Sequence, residues 1–175
     1  MNIQHSSRTD MWFTPLEIIL MVHEVLGTVD FDPASCIEAN ARIQAKRFLC
    51  EEEDGLSKSW GPGSVFLNPP GGKRKNKSIS ALFWRKLMEH AESPIFTHGI
   101  FMGFSVEQLA VTQKYHKKSM LDFPICIPSD RIAFYSPYGE KNAPSHSNVI
   151  VYIPGAVDMT DKFVEVFSKI GKCKV

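Results

Sequence analysis

The sequence predicts an α/β fold, a mainly parallel sheet with helices on both faces and an antiparallel hairpin at one edge. Three features lead to it. Apolar residues recur at helical spacing in Ile18, Ile19, Val22, Val25 and Leu26, and a short strand-like run, V-D-F-D (Val29–Asp32), follows directly. Helix-like and strand-like segments keep alternating through the first two thirds of the chain, the order expected of a parallel sheet covered by helices. Strand-like runs then crowd toward the C-terminal end, which places antiparallel pairing at one edge.

The elements follow in order. W-F-T-P (Trp12–Pro15) opens the first helix, with Thr14 as its cap, Pro15 in its first turn, Glu17 at the positive end of its dipole and Gly27 closing it. Pro33 halts the strand that ends at Asp32. Ala34–Ala41 reads as a loop entering a short helix, Ala45–Leu49 as a strand, and the acidic Glu51–Leu56 as a turn. Ser64–Leu67 is a buried strand by its apolar run. A helix with the stripe Leu82, Phe83, Leu87 runs from Ser78 to about Glu92, and a buried strand lies within Pro94–Phe104. Ser105 and Gln108 have capping-box spacing for a helix reaching about Lys114. Strands follow at Phe123–Pro128, Arg131–Tyr135 and His146–Ile153, and a last helix spans Met159 to Lys169, ended by Gly171.

The 175 residues suit one folded domain over 12–175, preceded by a polar, flexible segment over 1–11. Hydrophobic residues at 43% and charged residues at 22% exclude a disordered chain. A formal net charge of +1 means that a nucleic-acid partner must be held by a local basic patch. Lys73, Arg74, Lys75 and Lys77 form such a cluster; the same run also reads as a solvated, flexible loop. Cys36, Cys50, Cys126 and Cys173 form no CxxC pair, and no histidines have ligand spacing, so neither a disulfide framework nor a metal is expected. The first residues have no signal-peptide core, and no apolar run reaches the ~18 residues of a membrane span. A cytoplasmic protein with no membrane partner is the expectation; the oligomeric state is left open.

In a parallel α/β sheet, ligands sit beyond the carboxyl ends of the strands. Two such ends carry polar residues: F-D-P-A-S (Phe31–Ser35) and F-L-N-P-P (Phe66–Pro70). Asp32 suits the polar end or ribose of a nucleotide-like cofactor, or simply a turn before proline. Asn68 followed by Pro69 and Pro70 is a strong turn signal. It also offers chemistry. An adenine amino group is a poor nucleophile because its lone pair is delocalised into the ring. The Asn68 side-chain carbonyl and the Pro69 backbone carbonyl are two acceptors for its hydrogens, and they meet positive charge as it grows on the nitrogen.

The ordered set W-F-T-P, D-P-A-S, the spaced Glu38 and Asn40, E-D-G-L (Glu53–Leu56) with Trp60, L-N-P-P, I-P-S-D-R-I-A-F (Ile127–Phe134) and A-P-S-H-S-N (Ala143–Asn148) resembles the phage-type DNA N6-adenine methyltransferase family. The resemblance implies a Rossmann-like methyltransferase sheet, S-adenosylmethionine as cofactor, DNA as partner and a bacterial or phage-infected host cell. It places Thr14 and Pro15 near the methionine moiety. Asp32, Pro33 and Ala34 line the cofactor pocket, Asp54 lies toward the adenosine, and Asn68, Pro69 and Pro70 form the catalytic motif. The reaction it implies is direct methyl transfer to the N6 amino group, with no covalent enzyme intermediate.

Two departures stand out. Gly71 occupies the place of the family's aromatic, whose ring stacks on the extruded base; Phe83, Trp84, Phe104 and Tyr135 are the possible substitutes. The glycine-rich cofactor turn of many methyltransferases is absent, and the short span from Asp32 to Asn68 implies a cofactor site that is open on one side or completed on binding. An inert or weak protein of this fold that binds DNA or nucleotide, and a methyltransferase for another amine, are the alternatives.

Overall fold

The structure of the protein, a computed structural model, describes residues 12–114, 117–136, 141–142 and 146–175. The flexible segment expected over 1–11 lies outside the described residues. The elements are α1 (Leu16–Leu26), β1 (Phe31–Asp32), α2 (Ile37–Ile43), β2 (Arg47–Phe48), β3 (Gly63–Leu67), β4 (Lys73–Arg74), β5 (Lys77–Ser78), α3 (Ile79–Ala91), β6 (Phe96–Gly103), α4 (Gln108–Thr112), β7 (Ile125–Pro128), β8 (Phe134–Tyr135), β9 (Lys141–Asn142), β10 (Val149–Pro154), α5 (Thr160–Phe167) and β11 (Gly171–Lys174).

Seven strands form one sheet in the order β2-β1-β3-β6-β10-β7-β11. β2, β1, β3 and β6 run parallel, while β10 is antiparallel to β6 and β7, and β11 is antiparallel to β7. This is the Rossmann-like α/β sheet expected, with its antiparallel part at one side. Because β1, β3 and β6 share a direction, their carboxyl ends lie at one edge of the sheet. Asp32, Asn68 and Phe104 therefore come to that edge from three neighbouring strands.

Side-chain alternation along the strands divides the interior into two cores. Phe66, Ile100, Met102 and Ile150 face α1 and α5, packing with Ile18, Ile19, Val22, Phe163 and Phe167. Val65, Leu67, Phe101 and Val151 face α3, packing with Phe83, Trp84, Leu87 and Met88. Helices thus cover both faces. Among the described residues no helix is long and apolar enough to cross a membrane.

Several local expectations differ from what forms. Thr14 does not cap α1; Pro15 occupies the cap position, and the first turn closes onto its carbonyl. The capping box at Ser105 does not close. Ser105 Oγ accepts from Glu107 N–H at 3.1 Å, but the Gln108 amide donates to Ser80 Oγ at 2.7 Å, so a tertiary partner wins over the local one. The strand expected over Arg131–Tyr135 shrinks to Phe134–Tyr135, which pairs with Lys141–Asn142. Gly171 does not merely end the last helix; it begins β11. The basic run is no loop but the hairpin β4–β5, with Lys75 and Asn76 both at positive φ (49° and 63°) as a two-residue type I′ turn requires.

The functional edge is braced by a buried asparagine. Asn148 Nδ2 donates to Gly103 O and its Oδ1 accepts from Ile132 N–H, each at 3.3 Å, joining the end of β6 to the segment before β8. Asn148→Ala leaves two buried backbone groups unpaired. Urea denaturation should show a loss of about 2–3 kcal/mol; an unchanged midpoint would show that water replaces both bonds.

Candidate active site

Asn68 follows the last residue of β3 and is half-buried. Its Nδ2 donates to Thr14 Oγ1 at 3.1 Å and to the Trp12 carbonyl at 3.3 Å. Both amide hydrogens are thereby engaged by the segment before α1, so the side-chain carbonyl points away from that segment. Among the described residues none donates to Asn68 Oδ1. The site thus presents a fixed acceptor at the edge where ligands of such sheets sit. Pro69 is buried and Pro70 exposed, and neither supplies a competing backbone donor.

The segment that holds Asn68 is itself pinned. Phe13 exchanges both backbone hydrogen bonds with Tyr135, at 2.8 and 3.0 Å, which ties W-F-T-P to β8. The Arg42 guanidinium covers this pair, 5.9 Å from the Phe13 ring centroid and 5.2 Å from that of Tyr135.

Asp32 ends β1 and is 1% exposed. Its Oδ1 accepts from Ala34 N–H at 3.1 Å. Burial pushes its carboxyl up to about 7, against the smaller opposing effects of the Ala34 amide and the Ser35 hydroxyl. The Ser35 hydroxyl is near enough to act on that charge, yet it makes no hydrogen bond of ordinary geometry and is buried without a partner. A desolvated carboxyl and an orphaned hydroxyl side by side fit a ligand that brings hydrogen-bond donors or positive charge, as the amino acid end or the ribose of S-adenosylmethionine does. β2 is the last strand of the sheet on this side among the described residues.

Asp54 sits apart from the Asn68 carboxamide. It occupies a left-handed position (φ 53°) and its carboxylate is paired with Arg74 Nη1 at 2.9 and 3.0 Å. Hydrogen bonds and charge from Arg74 outweigh its desolvation and hold its carboxyl below the usual range. Gly55, the next residue, has no room for a side chain because the Pro33 carbonyl lies against it, so the Asp54 turn packs on the loop after β1. Asp54, Arg74, Lys75, Lys77, Arg85 and Lys86 line an open concavity of about 450 Å³. Lys73, Arg74, Lys75 and Lys77 are all exposed. Arg85 is paired with Glu89, and Lys86 donates to the Leu56 and Lys58 carbonyls, which leaves the hairpin lysines as this wall's outward charge.

The structure therefore brings Thr14, Pro15, Asp32, Pro33, Ala34, Asn68, Pro69 and Pro70 to one edge. It sets Asp54 with the basic hairpin beside that edge. The sequence assigns no role to the Trp12 carbonyl, the Ser35 hydroxyl, Arg42 or Asn148, although three of these residues stand in the quoted motifs. Backbone acceptors leave no sequence signal, and the roles of the other three arise from contacts between distant segments. Of the aromatics considered as substitutes at Gly71, Phe83 (5% exposed) and Trp84 (0%) belong to the α3 core, on the opposite face of the sheet from Phe66. The segment S-P-Y-G-E-K-N-A-P-S (136–145), whose place between two strands makes it a second element able to face DNA, lies mostly outside the described residues. Among the described residues no group of three or more His, Cys, Asp or Glu is placed to hold a metal ion.

A family model described as DNA N-6-adenine-methyltransferase (Dam) matches residues 2–97, more than half of the chain. The match spans Thr14, Asp32, Asn68 and the hairpin. No curated protein matches the chain.

The raised carboxyl of Asp32 has a measurable sign. In the unfolded chain it titrates near 3.8 and in the folded one near 7, so the folded state holds the proton more tightly. That contribution to stability is complete below about pH 4 and is lost as the pH rises through about 7. Asp32→Asn does not titrate. Its stability should therefore gain on wild type between about pH 4 and 7 and stay level above, when both are followed by chemical denaturation. Parallel profiles would mean that Asp32 is solvated.

Proposed function

The chain belongs to the DNA N6-adenine methyltransferase family, and we propose that it performs that family's reaction at the edge formed by Asp32, Thr14 and Asn68. Its activity is the transfer of a methyl group from S-adenosylmethionine to the exocyclic amino nitrogen of adenine in DNA. When bound, S-adenosylmethionine supplies an electrophilic methyl group on a sulfonium. The work of this chain's residues is to hold the two reactants in line and to make the amino group a better nucleophile.

The observation that carries the reading is the orientation of Asn68. Its two amide hydrogens are held by Thr14 Oγ1 and the Trp12 carbonyl, so Oδ1 is the acceptor turned toward substrate. With the Pro69 carbonyl it takes the two amino hydrogens of adenine, draws the nitrogen toward a tetrahedral geometry and meets the positive charge that develops there. Asp32, with Pro33, Ala34 and the Ser35 hydroxyl, holds the cofactor, and Thr14 and Pro15 stand at its methionine side. Asp54 takes the adenosine side; its pairing with Arg74 couples that contact to the hairpin. Lys73, Arg74, Lys75 and Lys77 meet DNA phosphates and position the duplex without reading its sequence. The work is done by one methyltransferase-like domain over 12–175, in the cytoplasm of a bacterial or phage-infected host cell.

A second reading rests on Gly71. Without an aromatic there, a protein of this family keeps cofactor and DNA binding but transfers little methyl, or transfers it to another amine. Labelled methyl transfer to DNA from a strain without adenine methylation separates the two. Wild type should label adenine N6, and Asn68→Ala should lose at least 10²-fold in kcat with cofactor affinity kept within about threefold. Equal labelling by both proteins would remove Asn68 from the chemistry, and no labelling by wild type would favour the second reading.

The hairpin makes its own forecast. Lys75→Ala with Lys77→Ala should weaken DNA binding and flatten the dependence of log K on log salt by about 1–2 units. Cofactor affinity should stay as in wild type. An unaltered slope would place the phosphates elsewhere.

A further inference from the structure

An adenine extruded from a duplex has lost its stacking neighbours, and enzymes that act on such bases hold them against aromatic or apolar side chains. Gly71 offers no ring. The place to look is the exposed aromatic surface on the side of the sheet where Asn68 lies.

Among the described residues one aromatic side chain is exposed. Phe104 is 39% accessible, whereas every other described Phe, Tyr and Trp is buried or half-buried. Phe104 directly follows β6, the strand beside β3. The parallel register pairs Leu67 with Phe101. Carried forward, it sets Asn68 level with Met102 and Phe104 two residues beyond, one strand over. Both residues lie one position past their strand ends; continued over those ends, the alternation that turns Phe66, Ile100 and Met102 into the α1 core assigns them to that same face. Ideal strand spacing and rise, continued past the strand ends, correspond to a backbone separation of about 8 Å. That gap accommodates a purine whose amino group meets Asn68 while its ring lies on the phenyl.

The backbone carrying this ring is anchored on both sides. Gly103 has no space for a side chain between Val149 and the Gln108 amide, and its carbonyl accepts from Asn148 at 3.3 Å. Ser105 is buried, with its hydroxyl accepting from Glu107 N–H. An exposed phenyl on a fixed backbone is preorganised for a flat ligand. The competing rings are occupied. Tyr135 is half-buried with Arg42 on its ring, Phe13 is 7% exposed, and Trp12 packs against the α1 core.

We propose that Phe104 is the platform on which the ring of the target adenine stacks, in place of the residue missing at Gly71. The proposal rests on the reading of Asn68 as the amino-group acceptor. It predicts a residue that binds substrate and leaves the cofactor alone.

The test compares wild type, Phe104→Ala and Phe104→Trp in labelled methyl transfer to plasmid DNA free of adenine methylation, native and heat-denatured. Calorimetry with S-adenosylmethionine and thermal unfolding are run on each protein. Phe104→Ala should lose about 10–100-fold in kcat/KM, the range of one base–aromatic stack. Phe104→Trp should stay within about threefold of wild type. The loss should be larger on native than on denatured DNA, because the duplex adds the cost of extrusion. Cofactor affinity and Tm should be those of wild type. Equal activity of wild type and Phe104→Ala overturns the platform and leaves the reading of Asn68 standing. So does a fall in Phe104→Trp as deep as in Phe104→Ala at unchanged Tm. A wild type that transfers no methyl group sinks the platform together with the reading it rests on.

Discussion

The Asn68 carboxamide is tied down by a segment more than fifty residues earlier in the chain, and the site depends on that tie. A carboxamide at a strand end is otherwise free to rotate and to present either its donor or its acceptor. Thr14 Oγ1 and the Trp12 carbonyl take both amide hydrogens, which settles the choice. The tie in turn needs the W-F-T-P segment to be stationary. The Phe13–Tyr135 backbone pair fixes it on one side, and the start of α1, packed through Ile18 and Ile19, fixes it on the other. Parallel pairing of β1, β3 and β6 then places Asp32, Asn68 and Phe104 side by side, because strands of one direction end at one edge.

Much of this order is legible in the sequence, for identifiable reasons. The long apolar runs gave β3, β6 and β10, and the helical stripes gave α1 and α3, since burial on a sheet or beneath a helix leaves a periodic trace. D-P and N-P-P marked the two strand ends because proline stops strands. The misses share a cause as well. Thr14 reads as a helix cap by local rules, but Asn68 claims its hydroxyl. Ser105 and Gln108 have capping spacing, but Ser80 claims the amide. The hairpin at Lys75–Asn76 was hidden because both turn residues adopt positive φ without glycine at either place. In each case a tertiary contact or a backbone conformation overrode the local preference.

On the proposed reading, the polar groups at this edge await partners that the chain does not itself supply. The Asp32 carboxyl is buried with one backbone amide for company, the Ser35 hydroxyl has no hydrogen-bond partner, and Asn68 Oδ1 has no donor among the described residues. Buried polar groups left in this state lower the stability of the free protein. They also make the site selective for a ligand that satisfies all of them at once. On the proposed reading, the ligands complete the site, the place left bare at Gly71 included. The basic hairpin stands outside this polar cluster, linked to it through Arg74 and Asp54. On the proposed reading, positioning of the DNA backbone is separated from the chemistry at the amino group.

The central claim is that Asp32 and Thr14 hold the cofactor beside Asn68, and that the buried Asp32 carboxyl awaits a partner. Calorimetric titration with S-adenosylmethionine at a pH just below 7, repeated in two buffers of different ionisation enthalpy, tests it directly. The account predicts one-site binding with an enthalpy that depends on the buffer, because a cationic or donor-rich partner lowers the Asp32 carboxyl from about 7 and releases its proton. Buffer-independent binding would move the cofactor away from Asp32, and the absence of binding with or without DNA would contradict the account as a whole.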